Sequence, residues 1–227
     1  MAKRKRMDLS LSTIQPLTEN QGQAFNSFQT GKNLLLHGVA GTGKTFVALY
    51  LALDLFFQNI YRPKFDKIFI IRSVVPTRSI GFLPGSYEEK IEVYESPYKS
   101  IFSELFRSGD AYNMAWQKDI IEFATTSYLR GETFNDALII VDECQNMNMH
   151  ELDSVITRIG DNSRIIFAGD FRQSDFRSDF ERNGILDFKT ILTKMDSFDV
   201  IEFGLEDIVR GPIVKDYIIT KYELGYM

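Results

Sequence analysis

Asn33-Leu34-Leu35-Leu36-His37-Gly38-Val39-Ala40-Gly41-Thr42-Gly43-Lys44-Thr45 decides the fold. Residues 38–45 fit the pattern G-x-x-x-x-G-K-[ST] at every fixed position. A short apolar run, residues 33–37, precedes it, and a helix-forming run, residues 43–58, follows it. Strand, glycine-rich loop and helix in that order make a phosphate cradle. The glycines let backbone N–H groups of Gly38, Val39, Ala40, Gly41, Thr42 and Gly43 wrap a phosphate. Lys44 offers a point charge to the β and γ phosphates, which also makes it a catalytic candidate. Thr45 offers a hydroxyl to Mg²⁺, and the helix N-terminus adds its dipole. Residues 38–45 are therefore expected to bind a nucleotide, with ATP and Mg²⁺ as the cofactors.

Outward from this cradle, strand and helix patterns alternate. Strands are expected at 67–71, 120–125, 137–141, 164–168 and 199–203, besides 33–37. Helices are expected from the Thr18 cap to Gly31 and at 88–106, 151–159, 185–195 and 213–223, besides 43–58. Such alternation predicts an α/β fold, a mostly parallel sheet with helices on both faces, which together with the loop of residues 38–45 resembles the P-loop NTPase, RecA-like kind. No repeat or linker interrupts it, so residues 17–227 read as one domain. Residues 1–16 read as a basic tail, led by Lys3-Arg4-Lys5-Arg6.

The run Ala137-Leu138-Ile139-Ile140-Val141 ends in Asp142-Glu143. After a P-loop, such a strand end suits Mg²⁺ binding by Asp142 and water activation by Glu143. The next strand ends in Gly169-Asp170-Phe171-Arg172-Gln173. Gln173 is the candidate γ-phosphate sensor there, supported by Asp170. Upstream, the amide of Gln21 could pair with an adenine edge as donor and acceptor together. The expected metal ligands are Thr45 and Asp142.

Gln21, the GVAGTGKT loop, Val141-Asp142-Glu143-Cys144-Gln145-Asn146 and Gly169-Asp170-Phe171-Arg172-Gln173-Ser174-Asp175 together resemble the first motor domain of superfamily 1 helicases. The chain resembles the PhoH-like ATPase family more closely. Gly81-Phe82-Leu83-Pro84-Gly85, Arg130-Gly131-Glu132-Thr133, Thr157-Arg158-Ile159-Gly160 and Glu206-Asp207-Ile208-Val209-Arg210 are similar to that family's segments. The chain departs from the family at Arg72-Ser73, Cys144 and Gly211. The resemblance runs from about Gln21 to Tyr222 and implies an ATPase working on single-stranded RNA or DNA as a homo-oligomer, a hexameric ring. Neither a second motor domain nor a PIN nuclease domain is expected in a chain of this length. An arginine for the γ-phosphate is then expected from a neighbouring subunit, with Arg210, Arg158 and Arg130 as candidates in that order.

Three readings of the activity stand at this point. The first is a nucleic-acid-dependent motor or remodeller. The second is an ATP-dependent assembly switch, and the third a P-loop kinase, which the adjacent pair Asp142-Glu143 disfavours. Arg72, Thr77 and Arg78, with Phe82 and Tyr87, form a basic and aromatic segment suited to a single strand or to subunit packing. The formal net charge of −5 argues against a large nucleic-acid footprint but not against a local one. His37 reads as a local hydrogen-bonder, Cys144 as a small core residue, and Trp116, Tyr94 and Tyr98 as packing groups. One cysteine rules out an internal disulfide, and no apolar run spans a membrane. A cytoplasmic protein is expected.

Overall fold

The computed structural model describes residues 7, 9–58, 64–73, 87–126, 131, 133–171 and 179–226, with only the backbone given for 87–91 and 179–183. Six strands form one sheet: β1 (Asn33–Gly38), β2 (Lys67–Arg72), β3 (Ile121–Thr125), β4 (Ala137–Asp142), β5 (Arg164–Gly169) and β6 (Phe198–Phe203). Their spatial order is β3-β2-β4-β5-β1-β6, and every pairing is parallel. All six therefore end at one edge. The expected strands are present, each within a residue of its expected bounds. Their apolar runs are continuous because both faces are covered.

Helices α1 (Glu19–Gln29), α2 (Lys44–Phe57), α3 (Tyr87–Phe106), α4 (Ala111–Gln117), α5 (Met149–Ile156), α6 (Asp179–Thr193) and α7 (Pro212–Glu223) complete the domain. Thr18 caps α1 by accepting from the Gln21 N–H. Asn148 and Glu151 form a reciprocal capping box on α5. Residues alternate across the sheet as a pleat requires. Leu34, Leu36, Ile68, Ile70, Leu138 and Ile140 face α1 to α4. Leu35, Ile71, Ile139, Val141, Ile165 and Phe167 face α5 and α6.

Two expectations are corrected here. Residues 9–16 are not a free tail: Leu9, Leu11 and Ile14 pack on the core, and the Ser12 N–H donates to the Leu105 carbonyl at 2.8 Å. Their apolar side chains gain more from burial than the intervening serines and Thr13 lose. Lys3 to Arg6 lie outside the described residues. Helix α4 was not expected, because Tyr112-Asn113-Met114 and Gln117 give no clear helical period. Its Trp116, expected to pack, is 60% exposed.

Phe167 is fully buried and meets Phe188 edge-on, with ring centroids 5.1 Å apart. Phe167→Ala should cost about 3–5 kcal/mol. Urea unfolding checks this as a lowered midpoint at an unchanged slope.

Candidate nucleotide site

The carboxyl edge of the sheet gathers the ends of β1, β2, β4 and β5. The loop after β1 is held tightly at its base. Gly38 has φ 127°, and a Cβ there would stand 2.1 Å from the Phe203 carbonyl oxygen. That oxygen instead accepts from the Val39 N–H at 3.0 Å. Gly41 and Gly43 also have positive φ, 79° and 82°, so the loop curls back on itself. Gly43 caps α2 without any side-chain hydrogen bond. The first N–H groups of α2 thus point into the concavity, where an anion would satisfy them.

Lys44 lies across this concavity. Its Nζ donates to the Gly38 carbonyl at 2.8 Å and the Val39 carbonyl at 2.7 Å. Burial pushes the ammonium's pKa down, while Asp170, Glu143 and Asp142 oppose that shift. The carboxylates keep the buried amine charged, and a desolvated ammonium is a strong partner for phosphate oxygens. Thr42 stiffens the loop from inside: it is buried, and its Oγ1 donates to the Val39 carbonyl at 2.9 Å.

Thr45 and Asp142 meet, with Thr45 Oγ1 donating to Asp142 Oδ1 at 2.7 Å. Asp142 is buried, and burial followed by the neighbouring Glu143 raises its carboxyl pKa against hydrogen bonds from Thr45 and Tyr98. A hydroxyl and a carboxylate are the hard oxygen donors that Mg²⁺ prefers. Among the described residues, no three His, Cys, Asp or Glu side chains cluster as a metal cage.

Glu143 takes a left-handed backbone conformation, φ 53° and ψ 38°. This is uncommon for a residue with a Cβ and costs on the order of 1 kcal/mol. Gln145 holds the Glu143 carboxylate in place. Its Nε2 donates to Glu143 Oε2 at 2.5 Å, while its Oε1 accepts from the Asp170 N–H at 3.0 Å. One amide therefore ties the end of β4 to the end of β5. Sequence reasoning missed Gln145, although its place two residues after Glu143 was a usable signal. His37 is buried beside this edge, stacked on Phe171 with Glu202 at 3.6 Å. Cys144 is a buried core residue, as expected.

Other expected residues fall differently. Gln21 is buried, and its amide is already engaged: Nε2 donates to the Thr42 carbonyl at 3.1 Å and Oε1 accepts from the Leu17 N–H at 2.9 Å. It lines a cavity of about 480 Å³ with Leu17, Phe25, Phe46, Tyr50 and Arg210. Arg210 stands over its own loop, since a Cβ on Gly41 would meet its Cγ at 2.9 Å. Arg158 lies at the other edge of the sheet, where its carbonyl accepts from the Phe134 N–H, ahead of β4. Arg72 is not on an open loop. It ends β2 in register with Asp142, half-buried, with its guanidinium 5.8 Å from the Tyr94 ring centroid. Tyr98, expected only to pack, donates from its hydroxyl to Asp142 Oδ2 at 2.8 Å. Thr77, Arg78, Phe82, Arg130 and Gln173 lie outside the described residues.

The profile of the family described as PhoH-like protein matches residues 13–223. A PhoH-like protein of Bacillus subtilis is 33% identical over 85% of this chain and 59% of its own length. One from Synechocystis is 30% identical over 92% of this chain and 62% of its own. The chain thus spans about 60% of the curated relatives it matches. The large terminase of a thermophilic bacteriophage superposes with a TM-score of 0.51 at 10% identity, over 89% of this chain and 50% of that one. The fold is that of a P-loop NTPase.

Replacing Gln145 by Ala removes both of its hydrogen bonds and leaves the buried Asp170 N–H unsatisfied. The expected cost is about 1–3 kcal/mol, read as a lowered midpoint in urea unfolding.

Proposed function

The chain belongs to the PhoH-like protein family, and on that premise we propose that it binds ATP with Mg²⁺ and hydrolyses it, coupled to single-stranded RNA or DNA. One observation carries this reading: Lys44, Thr45, Asp142 and Glu143 converge at the mouth of one backbone cradle. Lys44 exchanges its loop carbonyls for β and γ phosphate oxygens. The N–H groups from Gly41 to Thr45 hold the phosphates. Thr45 and Asp142 hold the metal ion, which when bound neutralises charge on the phosphates. Glu143, steadied by Gln145, takes the proton of the attacking water, and Gln173 reports on the γ-phosphate.

The base fits the cavity beside Gln21, whose engaged amide ties residues 17 and 42 together and shapes the wall. Arg210 serves the nucleotide of its own chain, because it stands over Gly41. Arg158 lies at the opposite edge, away from its own chain's cradle, and in a head-to-tail homo-oligomer such as a hexameric ring it serves the nucleotide of a neighbouring copy. The strand contacts the segment that follows Arg72, with Thr77, Arg78 and Phe82. Among the described residues no helix is long and apolar enough to cross a membrane, and we place the activity in the cytoplasm.

Phosphate release from ATP should rise when single-stranded RNA or DNA is added, and Lys44→Ala should lower it by roughly 10²–10³-fold. Turnover that depends on Lys44 but ignores polynucleotide would indicate an assembly switch. Absence of turnover in a verified oligomer would contradict hydrolysis.

A further inference from the structure

We propose that Tyr98 is a positioning residue for Asp142: its hydroxyl fixes the carboxylate in the orientation that receives Mg²⁺. This rests on the nucleotide-binding reading above. Thr45 donates to Asp142 Oδ1 at 2.7 Å and Tyr98 donates to Oδ2 at 2.8 Å. One hydroxyl leaves a carboxylate free to turn about its Cβ–Cγ bond. Two, on different oxygens from different helices, fix its plane. The lone pairs left over remain available to a metal ion.

The surroundings of Tyr98 point the same way. Its side chain is fully buried in α3, and its ring packs on Phe123 with centroids 5.9 Å apart. That packing needs only a phenyl group. The hydroxyl is a separate feature, and a buried hydroxyl requires a partner. Its partner here is the metal-binding carboxylate. Arg72 closes the arrangement: it lies against Tyr94 and acts electrostatically on Tyr98, Asp142 and Glu143. The phenol is thus held between a guanidinium and the carboxylate.

A built-in comparison exists. Tyr112 is also buried, and its hydroxyl donates to Glu95 at 2.9 Å, outside the site. Tyr112→Phe removes a bond of the same type without touching Asp142.

The test is binding of a fluorescent, non-hydrolysable ATP analogue to the full chain, titrated with Mg²⁺, for wild type, Tyr98→Phe and Tyr112→Phe. Tyr98→Phe should raise the Mg²⁺ concentration for half-maximal tightening by roughly tenfold, while affinity without metal stays that of wild type. Tyr112→Phe should leave the Mg²⁺ dependence unchanged. Equal Mg²⁺ dependence in Tyr98→Phe and wild type would overturn the proposal. So would the same shift in both variants, or a Tyr98→Phe protein that no longer melts cooperatively. Wild type without Mg²⁺-dependent binding would remove the nucleotide reading itself, and this inference with it.

Discussion

The hydrogen bond from Thr45 to Asp142 constrains everything around it. Thr45 opens α2 after β1, and Asp142 ends β4. In the sheet, β5 lies between those two strands. A gap of two strand spacings, roughly 9–10 Å, separates the elements that this bond joins. It is bridged because α2 leaves β1 sideways and packs over β5 and β4. The tight loop base makes that path accessible: Gly38 lets the backbone approach Phe203, and the left-handed Gly43 turns the chain into the helix. Buried Val47, Leu49, Leu51 and Leu53 then hold α2 down. The chemistry at one edge is therefore secured by packing across the domain.

Charge is managed in the same small volume. Asp142, Glu143 and Asp170 crowd around Lys44, and Asp142 and Asp170 are buried. Such a cluster is unfavourable without compensation. Lys44 and Arg72 supply positive charge, Thr45 and Tyr98 supply hydroxyls, and Gln145 binds both Glu143 and the backbone of Asp170. The strained backbone of Glu143 belongs to this balance, since the turn it makes aims the carboxylate at Gln145. Bound phosphates would change the balance most, because they draw Lys44 away from the carbonyls of Gly38 and Val39.

Much of this was legible in the sequence. The strands are continuous apolar runs, so burial on both faces announced them. The loop, Thr45 and Asp142 stood out because G-x-x-x-x-G-K-[ST] after one apolar run and an acid after another are fixed residue types at fixed places. Distant contacts were not. Tyr98 lies 44 residues from Asp142, and a tyrosine in an amphipathic helix looks like packing until the sheet brings the two together. Arg72 looked like a loop residue because β2 runs one position beyond its apolar run. Gln21 was singled out as a partner for an adenine edge, whereas its amide bonds to Leu17 and Thr42. Residues 9–16 alternate apolar and polar too briefly to declare that they pack.

A crystal structure with a non-hydrolysable ATP analogue and Mg²⁺ tests the account most directly. The account predicts the γ-phosphate on Lys44 Nζ, with that amine lifted from the Gly38 and Val39 carbonyls, and the metal ion beside Thr45 and Asp142. An analogue bound elsewhere, or a Lys44 still bonded to both carbonyls beneath the bound phosphates, would contradict it.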